Sequence, residues 1–392
     1  MFAGLLFIPS LGPQIIDTRL LLGNYDYLFY FYKKKIGWYP VLDVSTGSSL
    51  AYGAALFYHD KPFGFSVGGY YANNTIWKAK AKMSDVFQIG HAVLKSELSG
   101  SVLSRDDYKF HGFGSDPQND ARNLFNGNAN DDFGIFLQRL SRIQLLLGLH
   151  PTPKWKLLYT GFYQERRIEN PLDSDPDNIN NVFDLSAFAG IQSGRPTTGK
   201  QVYNELSLGY DSRNNRDLLE PGFVVEGYAG LSEGVGSDDS RFSRAGGSAA
   251  LFVPLIKRNR LIVPSVVVDV VDNRNDDVPL SFADYPRQPT FRGVSSKRLL
   301  RTDKISMVSS VEYQWPMAHV VGGHLFVDYL FVGDSFDKLT FREAPYAIGF
   351  SFDIHNDFGE LARFNFSGGS EGFRFKLTVG LPGYSHQRSD WQ

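Results

Sequence analysis

The sequence predicts an all-β chain, specifically a sixteen-stranded antiparallel transmembrane β-barrel, and three observations carry that expectation. The first is a dyad repeat. Lys304, Ser306, Val308, Ser310, Glu312 and Gln314 alternate with Ile305, Met307, Ser309, Val311, Tyr313 and Trp315. Successive side chains of a strand point to opposite faces, so this segment separates a polar environment from an apolar one. The second is the form of the segments, which mostly run roughly 10–14 residues, are rich in Tyr, Phe and Gly, and are joined alternately by tight turns and long polar loops. The third is composition. The 392 residues are 15% aromatic and include 39 glycines, yet no run of about 18 apolar residues occurs. Helical spans are thereby excluded, and a closed sheet is the other way to satisfy the backbone in hydrocarbon.

Taken in order, residues 1–35 form an N-terminal segment of unclear role. Met1–Pro13 is apolar but lacks the basic start and small-residue cleavage site of a secretory signal. Leu20–Tyr32, rich in Leu, Tyr and Phe, suits a membrane interface or a barrel interior. The barrel is assigned to 36–382, with strand segments at 36–45, 49–59, 63–73, 76–86, 92–103, 133–147, 153–168 and 201–211. They continue at 222–233, 242–256, 260–273, 303–316, 320–333, 341–354, 360–368 and 371–382. Residues 383–392 read as a polar tail. Sixteen is an even number, as single-chain bacterial barrels have. The long links 104–132, 169–200 and 274–302 all follow odd-numbered segments, which places them on one side of the membrane. Barrels of this type carry long loops outside and short turns on the periplasmic side.

Facing follows from parity. Lys78, Lys80 and Lys82 alternate with Trp77, Ala79, Ala81 and Met83. A lysine facing lipid at mid-membrane costs about 2–4 kcal/mol, so the lysines are expected in the interior. Tyr346, Ile348, Phe350 and Phe352 are expected to face lipid, with Ala347, Gly349, Ser351 and Asp353 inward.

Several function classes are disfavoured. Zero cysteine removes disulfides and thiol chemistry, and a net charge of −2 argues against a nucleic-acid binder. His59, His91, His111 and His150 lack metal-ligand spacing. No nucleophile elbow, phosphate loop or dinucleotide fingerprint is present. The Asp/Asn-rich runs 116–132 and 173–181 do not follow the order of an EF-hand and read as solvated loops. The expectation is a chain that is not an enzyme, with no catalytic residues, metal or cofactor.

The link before the twelfth segment contains Pro289-Thr290-Phe291-Arg292-Gly293-Val294, the twelfth segment Val311-Glu312-Tyr313-Gln314-Trp315-Pro316, and the thirteenth Leu325-Phe326-Val327-Asp328-Tyr329. These residues resemble the BamA/TamA surface-antigen superfamily of outer-membrane barrels. Its hallmark is a hydrophobic-Arg-Gly-aromatic tetrad on the sixth extracellular loop, followed by an acidic residue and an aromatic-x-Asp-x-Gly on the next two strands. Leu206–Arg213 with Pro221-Gly222 is similar to the mid-barrel signature of that superfamily. Val294 and Leu330 depart from it, standing where an aromatic residue and a glycine are usual. Ser370-Glu371-Gly372-Phe373-Arg374-Phe375-Lys376-Leu377 resembles the β-signal by which outer-membrane barrels are recognised for assembly.

The resemblance implies that the sixth loop folds inward and that Phe291, Arg292 and Gly293 meet the barrel wall. Glu312 and Asp328 fall on the polar parity of their strands, so an inserted arginine bridges both with charge-assisted bonds. Gly293 permits a tight turn or a close approach to the wall. Gly372, Phe375, Leu377 and Gly380 mark the β-signal and the seam between first and last strands, where a glycine-containing strand pairs less firmly. The implied location is the outer membrane of a Gram-negative bacterium. Relatives insert β-barrels, export a polypeptide or tether a passenger. The leading expectation is insertion or assembly of outer-membrane proteins, with lipids, nascent β-barrels or a periplasmic partner engaged. The alternatives are a translocating or passive channel plugged by its own loop, and a membrane anchor for a separate partner. Strands beginning near residue 36 leave no room for a periplasmic POTRA module, so the chain reads as a bare barrel or a fragment.

Overall fold

The computed structural model describes residues 30–32, 35–45, 50–60, 62–126, 133–169, 178–184, 197–213, 220–236, 240–255, 260–275, 277–278, 280–286, 291–293, 299–318, 321–342, 344–356, 359–370 and 372–379. Dyad alternation of polar and β-favouring apolar residues puts most of these into strands. They are β1 (Tyr30–Tyr32), β2 (Ile36–Ser45), β3 (Ala51–Asp60), β4 (Phe63–Tyr71), β5 (Trp77–Ile89), β6 (Ala92–Phe113), β7 (Gly134–His150), β8 (Trp155–Glu169) and β9 (Thr197–Asp211). The second half holds β10 (Gly222–Gly234), β11 (Arg241–Pro254), β12 (Leu261–Asn273), β13 (Leu299–Thr302), β14 (Ile305–Ala318), β15 (Val321–Gly333), β16 (Tyr346–Asn356), β17 (Gly359–Gly369) and β18 (Arg374–Val379). A four-residue helix, α1 (Ile179–Val182), lies between β8 and β9. Among the described residues no helix is long and apolar enough to cross a membrane.

These strands form one sheet. From β2 to β12 each pairs antiparallel with the next, β12 pairs with β14, and the series runs on to β18. β18 then pairs with β2 through Lys376↔Ser45, Leu377↔Val44 and Thr378↔Asp43. β1 adds to β2, and β13 pairs in parallel with β6. The sheet thus has eighteen strands where the sequence reading has sixteen. The two additional strands span three and four residues, too few for alternation to announce them. β6 continues to Phe113, ten residues past its expected end. Its polar Ser104–Asp107 stretch hides the continuation, which β7 and β13 supply with hydrogen-bonding partners.

The sheet has a buried polar face and an exposed apolar one. On β9, Leu206 and Leu208 are 59% and 52% exposed, while Glu205 and Ser207 between and beside them are 5% and 3%. On β7, Ile143, Leu145, Leu147 and Leu149 are exposed and Arg142 and Gln144 are buried. Lys82, on the more covered parity of β5, bonds Glu97 of β6 at 2.6 Å. This inverts the arrangement of a water-soluble sheet, whose apolar face is the covered one. Trp315 is an exception, because it lies on the apolar parity yet is 7% exposed; a side chain at Gly323 would collide with it at 2.6 Å.

The three long connections share a hydrophobic cluster at one end of the sheet. Tyr108 and Phe110 of β6, Phe136 of β7, Ile168 of β8, Ile179 and Val182 of α1, and Phe282 pack together there. Beyond β6 the chain reaches across to β15, where the Ser115 hydroxyl donates to the Val332 carbonyl at 2.7 Å. Arg122 binds Asp303 through both terminal nitrogens, at 3.1 and 2.5 Å.

Candidate functional site

Strands β14 and β15 run antiparallel with Ser310 opposite Asp328 and Glu312 opposite Phe326. All four lie on the buried parity, so two carboxylates from adjacent strands share one face. The segment Phe291–Gly293 lies against that face. Phe291 packs on Val308, Leu330, Val332 and Ala347, so Leu330, one of the departures noted above, becomes part of the apolar pad beneath the loop. A Cβ on Gly293 would stand 2.9 Å from that of Ala347 and 2.7 Å from the Phe291 ring. Close approach to the wall, rather than a left-handed turn, is what calls for glycine here.

The Arg292 side chain occupies the space between the carboxylates. Its Nε donates to Asp328 Oδ2 at 2.8 Å and its Nη2 to Asp328 Oδ1 at 2.6 Å, a bidentate pair. Nη1 donates to Glu312, and Nη2 also reaches the Ser310 hydroxyl at 2.9 Å. The Arg292 backbone N–H adds a bond to Asp328 Oδ2 at 3.1 Å, and Ser367 of β17 donates to the Arg292 carbonyl at 2.9 Å. The guanidinium lies 3.5 Å from the ring centroid of Phe326, a cation–π contact on a fully covered ring. One residue of the connection is thereby tied to β14, β15 and β17.

The network extends past the residues singled out from sequence. Glu312 Oε1 accepts from Gln314 at 2.5 Å and meets His324 Nδ1 at 2.8 Å. His324 Nε2 meets Asp353 of β16, whose cross-strand neighbour is Arg363. Three carboxylates therefore face Arg292, His324 and Arg363, with Asp328 and Asp353 almost wholly covered. Asp353 is covered, as its parity predicts, and Ser310 lies on the expected polar parity; His324, which parity would also have found, is the addition. Phe326 was signalled by an aromatic residue on the polar parity beside Asp328.

The β-signal residues are arranged differently. Gly372 precedes β18 instead of lying within a strand. Its φ of +81° and its N–H bond to the Gly369 carbonyl at 3.0 Å make it a turn residue, which corrects the expected strand start of 371 to Arg374. Phe375 pairs with Phe366 of β17, their rings 5.0 Å apart, and Leu377 stands between Phe364 and Val44 in the register. Gly380, the tail 383–392 and most of 1–35 lie outside the described residues.

No protein-family model and no curated protein matches the chain. Solved structures do. BamA from Haemophilus ducreyi lacking POTRA domains 1–3 aligns with a TM-score of 0.59 at 11% identity, covering 88% of this chain and 70% of that one. CdiB from Acinetobacter baumannii aligns with a TM-score of 0.52 at 9% identity, covering 88% and 59%. CdiB from Escherichia coli gives 0.49 at 12% identity, covering 88% and 62%. With an antiparallel sheet inverted in polarity and a loop arginine between strand carboxylates, this chain has a BamA-like fold, the fold that its motifs resemble.

Proposed function

We propose that the sheet closes into a transmembrane barrel of sixteen full-length strands in the bacterial outer membrane, with the loop that bears Arg292 folded into its lumen. The observation that supports it is the inverted sheet. Leucines such as Leu206 and Leu208 that stand more than half exposed beside buried Glu205 and Ser207 are unfavourable in water and favourable in lipid. The return of β18 to β2 supports closure, since an unpaired edge is not tolerated in hydrocarbon.

Within that barrel the function is non-enzymatic: insertion or assembly of outer-membrane β-barrel proteins at the seam. Among the described residues the seam joins by three residue pairs, against eight between β2 and β3 and six between β17 and β18. A join that short opens at small cost and leaves strand edges free to template an incoming nascent strand. The test uses cysteines at the paired positions 44 and 377 in a chain with none of its own. The oxidised Val44→Cys/Leu377→Cys protein in liposomes should lose the ability to promote insertion of a test barrel, and a reductant should restore it. Continued insertion by the locked protein refutes the seam. A second reading, a channel plugged by its own loop, is favoured by the cluster that the three long connections build over one end. Such a channel is indifferent to the lock.

A further inference from the structure

The connection between β12 and β14 meets the buried face at a second place. Ser281 opens a single turn, Phe282–Asp284, its hydroxyl accepting the Ala283 N–H at 3.4 Å. Phe282 inserts between Phe110 and Phe136, with ring centroids 4.7 and 5.1 Å away. Leu280 packs with Phe162, Tyr203 and Phe242. These contacts aim Asp284 at the wall formed by β8 and β9. There its carboxylate pairs with Arg166 Nη1 and accepts from Gln201 Nε2 at 3.2 Å. Asp284 and Arg166 are each 8% exposed.

The wall is built to receive a carboxylate. A small, partly open cavity of about 20 Å³ beside the pair is lined by Arg142, Arg166 and Arg244, with Gln164 and Gln201 between them. Arg244 is engaged by Asp269 of its neighbouring strand and Arg142 by the Gln164 amide oxygen at 2.5 Å. Arg166 receives its carboxylate from the loop, not from a strand. In the pairing order this wall is separated from the β14–β15 site of Arg292 by β10, β11 and β12, yet only six residues of chain connect Asp284 to Phe291. The same connection then reaches β6 through β13.

We propose that Asp284 and Arg166 form a second latch, independent of Arg292, so that the connection is a strap fastened to two walls and the lumen stays blocked until both fastenings release. A charge pair this well covered, supported by a packed phenylalanine, holds its end of the strap without help from the other. The blocking role rests on the closed-barrel reading; the independence of the latches does not.

Hydrogen exchange read separately over 280–286 and 291–293 tests the independence directly. Asp284→Asn preserves shape and removes the charge. It should raise exchange of the first segment roughly tenfold and leave the second within about twofold, the contrast that two uncoupled sites produce. Arg292→Ala should do the reverse. The swapped pair Arg166→Asp/Asp284→Arg should return the first segment toward the parent rate, which a purely steric role for Asp284 would not allow. Both segments rising together in Asp284→Asn, or neither rising, overturns the proposal. If a variant does not fold, as judged by its heat-shifted mobility in detergent gels, the swap pair provides the same comparison. In planar bilayers each single variant should remain closed and the Asp284→Asn/Arg292→Ala double variant should conduct. A single variant that opens fully overturns the two-latch strap. Independent exchange with no conductance, even when 280–293 is deleted, refutes the barrel reading and leaves the second latch standing.

Discussion

Replacing Arg292 with Ala removes every bond made by its guanidinium and leaves only the backbone bonds of residue 292 to Asp328 and Ser367. Asp328 is wholly covered and loses the Nε and Nη2 donors at 2.8 and 2.6 Å, keeping only the Ser310 hydroxyl at 2.6 Å and the backbone N–H at position 292. Glu312 loses Nη1 but keeps Gln314 and His324. Most of the penalty therefore falls on Asp328. Breaking one partner out of a buried ion pair costs about 3–5 kcal/mol, and the two bonds that Asp328 keeps place this site at the lower end, about 3 kcal/mol. At 1.4 kcal/mol per factor of ten, the open population of the loop should rise roughly 100-fold. The assay is hydrogen exchange over 291–293 in detergent-solubilised protein. Arg292→Lys, which retains charge but offers a point donor in place of a fork, should recover about half of the lost free energy. Exchange of Arg292→Ala within about threefold of the parent would show that Phe291 and its apolar pad hold the loop unaided.

Other consequences are open to measurement. His111, on the part of β6 beyond Ser104, where β5 no longer pairs with it, is held down to about 3 by burial, with Arg301, Lys109 and Arg374 adding repulsion. Its folded form stays neutral while the unfolded form protonates near 6.5, so this stability is present above 6.5 and is lost as pH falls from there toward 3. At pH 5 the loss is about 2 kcal/mol, seen as faster exchange of 108–113, and His111→Phe should flatten the profile. Gly349→Ala should destabilise by about 1–3 kcal/mol, because the added Cβ meets the Phe366 carbonyl at 2.1 Å and the Phe326 ring at 2.7 Å. A thermal midpoint equal to the parent's would mean that β16 shifts freely. Spin labels at Leu206 and Leu208 should be quenched by a lipid-soluble agent and a label at Ser207 by a water-soluble one; the opposite pattern would place the register one residue out.

What could be read from the sequence was whatever depends on parity. The alternation that puts Ser310, Glu312 and Gln314 on one side of β14 is a property of the chain itself, and each of the sixteen segments overlaps one of the strands β2–β12 and β14–β18. What could not be read depends on contacts between distant parts. β13 is extended because β6 offers it a partner, and β6 runs to Phe113 for the reciprocal reason, although Arg105-Asp106-Asp107 carries no apolar alternation. The start at Tyr346 was missed in the other direction. Tyr329 and Phe331 gather Phe341 into an aromatic group, with ring centroids 5.6 and 4.9 Å away, so residues that read as strand serve a loop instead.

The two fastenings of the strap show where that boundary falls. On the wall side both obey parity: Glu312 and Asp328 sit on the covered face of their strands, and so does Arg166, alternating with exposed Tyr163 and Arg167 on β8. On the loop side they differ. Arg292 stands next to a glycine in a run that resembles a known tetrad, whereas Asp284 is one acidic residue beside Asp276 and Asp277, in a connection where charge is ordinarily solvated. Only Phe282, Ala283 and Leu280 set it apart, by giving the connection an apolar surface that water would not favour. A carboxylate two residues from a phenylalanine in a long polar loop, with an unmatched arginine on the buried parity of a strand, is thus a pairing that neither partner declares alone. Removing the charge at either end should release that end, and the double variant Arg166→Gln/Asp284→Asn should exchange over 280–286 no faster than the faster single variant, the non-additivity that two halves of one interaction produce.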